Sequence, residues 1–228
     1  MVGSLRYAVK YRPEIYAAMT PLSACLTFPT EQLYTCAMRV LVYLGRSPNL
    51  GIAYSAHSPN ASTLYGHCDA NWSETRSYTG FCFMLAGGTI ANCCQRQHCI
   101  SMSSCEAELI ALAAAAIELI FLMSLLKDIG YEFDGPVDVS TDNKGAYDLC
   151  HRFSSAQHSR HVDRKMFKMR ELRGAGIVNV RWVPTDDNFA DLFTKILGRQ
   201  PFEKHRRTVL NLDANEAVEK ARVARSKG

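Results

Sequence analysis

Hydrophobic positions change their period near residue 64 and divide the chain in two. Upstream, Leu33, Ala37, Val40, Leu41 and Leu44 recur at helical spacing, with Thr30 placed to cap the start and Gly45 and Pro48 to end it. Residues 14–26 carry a shorter helical pattern that Pro21 interrupts. Downstream, short apolar runs bounded by turn residues predict strands at 64–68, 81–85 and 89–93, the last two flanking Ala86-Gly87-Gly88 as a hairpin. A long helix is predicted over 105–129, stopped by Gly130. The stretch 137–141 alternates as Val-Asp-Val-Ser-Thr, a strand that ends in Asp142. Helices over 143–150 and 160–173, a strand over 177–183 broken by Pro184, and a final helix over 186–197 complete the pattern. The order βββαβα(α)βα predicts an α/β domain over 64–198, a helical appendage over 1–63 and a basic tail over 199–228.

Composition sharpens this. The chain has 228 residues, 47% of them hydrophobic, enough for one ordinary core and an appendage. Net charge is +4, which neither demands nor excludes a nucleic-acid partner. The distribution says more: acids dominate from Tyr65 to Asp148, whereas Arg152 to Arg181 holds eight Lys/Arg against Asp163 and Glu171. An acidic half followed by a basic half suits a cation-holding site beside a phosphate-binding surface. The nine cysteines include no C-x-x-C pair, and the group Cys93, Cys94, Cys99 and Cys105 lacks zinc spacing. Free thiols and the lack of a signal pattern point to an intracellular protein. The apolar run 110–126 contains Glu118 and is shorter than the ~20 residues of a membrane span. A buried helix, and no membrane partner, is expected.

Four carboxylates occupy suggestive places. Asp69 and Asp142 end strands, Glu108 lies early in the long helix, and Asp191 lies in the last predicted helix, where it shares a face with its rival Asp187. Carboxyl ends of adjacent parallel strands are where α/β sites form, and neighbouring strands stand about 5 Å apart. Carboxylates that close repel unless a cation neutralises them, and all-oxygen ligands suit Mg²⁺ or Mn²⁺. Two such ions activate a water and stabilise the leaving oxygen in phosphodiester hydrolysis. The stretch "SSCEAELIAL" at 103–112 sets Glu106 and Glu108 about 200° apart on a helix, so only one can face a site. Ser103 and Glu106 fit a capping box, which assigns Glu106 to starting the helix and Glu108 to chemistry. For the fourth acid, the dipole of the first turn accounts for Asp186 and Asp187; Asp191 is taken as the fourth ligand and Asp187 remains its rival.

Motifs spread over residues 1 to about 212 resemble one family. HCDANW, RSYTGFCF, SSCEAELIALAAAAIEL, STDNKGA, RHVDRKMFKMRE and WVPTDDNFADLFTK are similar, in collinear order, to segments of the RNase H domain of copia-type LTR retrotransposon Pol polyproteins. MVGSLRYAVKYRPEI resembles the segment that follows the polymerase palm and FPTEQLYTCAMRVLVYL the helix after it, so residues 1–63 are expected to derive from the reverse transcriptase thumb or connection region. The resemblance implies an RNase H-like fold: a five-stranded mixed sheet flanked by helices. It implies a two-metal endoribonuclease that cleaves the RNA strand of RNA–DNA hybrids, with Asp69, Glu108, Asp142 and Asp191 holding two Mg²⁺ ions, or Mn²⁺ in their place. The hybrid and the polymerase part of reverse transcriptase are the implied partners. Asn143 and the basic residues Arg160, Arg164, Lys165 and Lys168 are expected to contact nucleic acid, with a solvated helix face as the equal alternative for the basic run. His161 is an auxiliary candidate, since the loop over 183–187 has no histidine. Trp72 is expected in the core. The sequence has no YxDD polymerase motif. The competing reading is an inactive RNase H-like module that grips nucleic acid or polymerase.

Overall fold

The computed structural model describes residues 1–151, 160–214 and 216–217, with the side chains of 160–162 outside that description. Three helices open the chain: α1 (Val2–Ala8), α2 (Tyr16–Ala24) and α3 (Glu31–Arg46). Thr30 caps α3 as expected, its hydroxyl accepting from Leu33 N at 3.2 Å. Pro21 lies inside α2 rather than ending it, and the helix there forgoes the one ladder bond that proline cannot donate. The strands are β1 (Tyr65–Asn71), β2 (Tyr78–Leu85), β3 (Gly88–Arg96), β4 (Val137–Thr141) and β5 (Val178–Trp182), in the sheet order β3-β2-β1-β4-β5. β1 and β4 are parallel, as are β4 and β5.

Between β3 and β4 runs α4 (Ser104–Asp128). Ser103 caps it, its hydroxyl accepting from Glu106 N at 3.1 Å. Gly130, at φ +86, closes it in the left-handed conformation that glycine adopts without strain. Residues 106–113 are buried all round, and α4 packs on β1 and on α6 (Arg160–Gly174). The second half departs from expectation: Ile117 is 68% and Phe121 60% exposed. A helix of 25 residues extends about 37 Å and a strand of 7 only about 23 Å, so α4 runs past the strand it covers. By length and composition alone α4 is long and apolar enough to cross a membrane.

α5 (Lys144–His151) follows β4. The predicted helix over 186–197 is not formed. A 3₁₀ turn at Thr185–Asp187 and an extended Asn188 precede a four-residue helix, α7 (Asp191–Thr194). The tail instead forms α8 (Arg199–Leu210).

Two compact units result: Met1–Thr63 with Met84–Ile90 and Lys195 onward, and Leu64–Phe83 with Ala91–Thr194. The first has a core of Leu5, Val9, Ile15, Met19, Leu22, Ala37 and Val40. Beside it lies a buried polar group. Arg12 Nε donates to Glu14 Oε1 at 2.7 Å, Tyr43 Oη donates to the same oxygen at 3.2 Å, and Arg206 Nη1 reaches Tyr43 Oη at 3.2 Å. The second unit buries Phe83, Leu109, Leu112, Leu119, Val139, Met169 and Phe193, each contributing about 1.5–3 kcal/mol by removal from water. Gly66 belongs to this packing: a Cβ there would stand 2.6 Å from the Phe83 ring.

Candidate functional site

The parallel register explains how the acids meet. His67 on β1 pairs with Ser140 on β4; two residues further on, Asp69, which lies within β1 rather than at its end as expected, and Asp142, just past β4, stand side by side. Glu108, in the second turn of α4, joins them. Carboxylate oxygens of Asp69, Glu108 and Asp142 all lie within 4.8 Å of one another. Asp69 is fully buried, Glu108 is buried and Asp142 half-buried.

Glu108 and Asp69 each accept from neutral donors of neighbouring elements. Glu108 Oε1 accepts from Ala70 N at 3.1 Å and Oε2 from Thr141 Oγ1 at 3.3 Å, so it bridges the ends of β1 and β4. Asp69 Oδ2 accepts from the hydroxyl of Thr194. Burial pushes the Cys68 thiol well up, and the negative charges of Glu108 and Asp69 add to the effect. That thiol therefore stays protonated, and the donor set is all oxygen. Hard divalent cations fit it.

The short helix α7 is pinned to β1 by polar contacts. Asn188 Nδ2 donates to Cys68 O at 3.0 Å, and Asn188 Oδ1 lies 3.3 Å from His67 Nδ1. His67 stacks on Phe189 with ring centroids 3.8 Å apart. Asn71 Nδ2 donates to Thr194 O at 3.1 Å. Gly80 makes room for this: a Cβ there would meet Thr194 Cγ2 at 2.4 Å. Sequence reasoning missed Thr194, Asn188 and His67. The available signal was a polar residue, Asn188, in the apolar-flanked stretch "NFADLF".

The other expected residues fare differently. Asp191 is buried at the first position of α7 and lies outside the three-carboxylate group. It does not share a helix face with Asp187, which is exposed in the 3₁₀ turn. Glu106 does anchor the helix start, though its Oε2 accepts from Met102 N at 2.9 Å rather than from the Ser103 amide. Asn143 Oδ1 caps α5, accepting from Ala146 N at 2.9 Å. Trp72 is not in the core: it is 44% exposed, its indole N–H bonded to Ser101 O at 3.1 Å. On α6, Arg164 is exposed and Lys165 half-buried, while Lys168 pairs with Glu171 at 3.3 Å. Arg170 and Arg173 instead tie α6 to the carbonyls of Leu149 and Cys150, at 3.0 and 2.6 Å, where the C-terminus of α5 favours cations. The side chains of Arg160 and His161 lie outside the described residues.

No family model matches the chain. Among curated proteins it is similar to the "Retrovirus-related Pol polyprotein from transposon RE2" of Arabidopsis thaliana, 30% identical over 213 residues, 92% of this chain and 14% of that protein. The transposon RE1 counterpart from the same plant is 31% identical over 207 residues, 89% of this chain and 14% of that protein. The chain thus spans about one-seventh of the length of these relatives. Among solved structures, a foamy viral protease-reverse transcriptase in complex with double-stranded DNA matches with a TM-score of 0.50 at 13% identity, over 81% of this chain and 31% of that one. LC11-RNase H1 in complex with RNA/DNA hybrid matches with a TM-score of 0.42 at 13% identity, over 55% of this chain and 88% of that one. The five-stranded sheet, with β1, β4 and β5 parallel, has the RNase H-like arrangement, and the chain's homologues over about nine-tenths of its length are retrovirus-related Pol polyproteins from copia-type transposons.

Proposed function

We propose that this chain is a divalent-metal-dependent endoribonuclease that cleaves the RNA strand of RNA–DNA hybrids, acting as part of a retrotransposon reverse transcriptase. The observation that carries the reading is the gathering of Asp69, Glu108 and Asp142 within 4.8 Å at the ends of two parallel strands. Three carboxylates so placed, two of them buried, hold a cation or repel one another. Mg²⁺ is the natural occupant and Mn²⁺ its substitute. When bound, two such ions supply a nucleophilic water and charge stabilisation for in-line phosphodiester hydrolysis. The chain's own residues then have separate roles. Ala70 N and Thr141 Oγ1 hold Glu108 in place, and Asp191 from α7 completes the ligand set. Asn143, Arg160, Arg164, Lys165 and Lys168 contact the nucleic acid, and His161 assists. Selectivity for RNA comes from 2′-hydroxyls in the minor groove.

The same reading takes residues 1–63 as the end of the polymerase part, 64–198 as the nuclease and 199–228 as a basic tail. The partners are the hybrid and the polymerase, and the setting is intracellular, in cytoplasm, nucleus or virus-like particle. Incubation of the purified chain with a labelled RNA–DNA hybrid and Mg²⁺ tests it. Cleavage is expected, abolished by EDTA and by Glu108→Gln but kept by Glu106→Gln. A wild-type chain without metal-dependent cleavage would leave only an inactive binding module. Cleavage surviving Glu108→Gln and lost in Glu106→Gln would reverse the two assignments.

A further inference from the structure

One exposed aromatic and cationic group beside the carboxylates has no part in the reading so far. Trp182, the last residue of β5, is the register partner of Thr141, the residue before Asp142. Its indole N–H donates to Asp142 O at 2.9 Å, which fixes the ring against the strand end. The ring nevertheless stays 46% exposed. Lys144, two residues after Asp142, is exposed at the start of α5. Its ammonium lies 4.3 Å from the Tyr147 ring centroid and 5.7 Å from that of Trp182. Tyr147 is backed by His151, stacked at 4.0 Å, whose Nδ1 lies 2.8 Å from Tyr147 O. Among the described residues Lys144 has no ion-pair partner. A cation steadied over aromatic faces keeps its charge for an anion, whereas one in a salt bridge does not.

This placement matters because the site is acidic and its substrate is a polyanion. Three carboxylates repel the approaching strand, and a fixed cation at their edge offsets that repulsion for a neighbouring phosphate. An exposed indole beside a nucleic-acid cleft is also a stacking surface that tolerates any base. We propose that Lys144, Tyr147 and Trp182 form a subsite for the nucleic-acid strand adjacent to the cleaved phosphate. Lys144 takes a backbone phosphate, and the exposed face of Trp182 takes a sugar or base. The inference rests on the hybrid-nuclease reading and adds to it a gripping surface next to Asp142, separate from the basic helix α6.

Binding of a fluorescent RNA–DNA hybrid to the full chain in EDTA, measured over a series of salt concentrations, tests it. Lys144→Ala is expected to weaken binding about tenfold, the order of one charged hydrogen bond, and to make the slope of log affinity against log salt shallower by about 1. Lys144→Arg should restore both. Trp182→Ala should weaken binding without changing the slope, and Trp182→Phe should recover most of the loss, which separates stacking from folding. The sequence has two tryptophans, Trp72 and Trp182, so in a Trp72→Phe chain the remaining indole should be quenched as hybrid is added. Lys10→Ala, whose ammonium lies 5.1 Å over the Tyr7 ring in the first unit, should bind like the wild type. Unchanged affinity and slope in Lys144→Ala, with no quenching, would overturn the subsite while wild-type binding and cleavage left the nuclease reading standing. A wild-type chain that neither binds nor cleaves hybrid would overturn both.

Discussion

Two groups of buried acid teach opposite lessons. Glu14, in the first unit, has a side chain with 0% exposure and lies 2.7 Å from Arg12, itself 8% exposed. The Arg12 guanidinium is held in turn by Ser47 O and Ser47 Oγ at 2.9 and 2.8 Å. Burial there is balanced inside the protein, charge against charge. In the second unit Glu108 accepts from an amide and a hydroxyl, and Asp69 accepts from a hydroxyl. Neutral donors orient a carboxylate without cancelling its charge, and Asp69 and Glu108 crowd with Asp142 within 4.8 Å. A buried ion pair is a structural device, whereas oriented like charges at a strand end are poised for a cation.

That contrast can be broken by experiment. The largest effect is expected for Glu108→Gln: hybrid cleavage falls on the order of a thousandfold, the scale of losing a preorganised electrostatic partner. Thermal stability should be unchanged or higher, because one like charge is gone; a destabilised variant would recast Glu108 as structural. In the first unit the outcome inverts. Arg12→Met strands Glu14 and should cost about 3–5 kcal/mol of stability, read by denaturant unfolding, with no specific loss of metal binding in the fraction still folded. Thr194→Val removes the donor on Asp69 while nearly keeping the volume. It should weaken Mn²⁺ binding about tenfold or more, as for other outer partners of metal ligands, with Thr194→Ser restoring it. A last effect is alkaline. Burial pushes the Cys150 thiol up to about 12 from its ordinary value of 9.0. Above about pH 9 the unfolded chain releases that proton and the folded chain keeps it, so stability should fall as pH rises toward 12. The slope is about 1.4 kcal/mol per pH unit for each such thiol, and Cys150→Ala should flatten it.

The contrast also separates what was legible in the sequence from what was not. Alternation placed β4 correctly at Val137–Thr141, and Ser103 and Gly130 marked both ends of α4, because these signals are local. The register that sets Asp69 beside Asp142 followed once the strands were taken as parallel neighbours. Asn188 was different: it ends the expected last helix by bonding to Cys68 O, 120 residues away in sequence, and no local pattern records that. Asp191 was read as lying deep in a helix and instead begins one. The charge of Arg170 and Arg173 is visible in sequence, whereas the Leu149 and Cys150 carbonyls that hold them are not. α8 was missed because its polar surface resembles a solvated tail until His205, Val209 and Leu210 are seen to be buried.

The most direct measurement is a calorimetric titration of the full chain with Mn²⁺, repeated on Asp142→Asn. Asp142 is the least buried of the three acids, so the substitution leaves the fold intact. Saturable binding by the wild type, reduced at least about tenfold in Asp142→Asn, is the result expected of carboxylates gathered for a cation. Equal binding by the two proteins, or none by either, would contradict it.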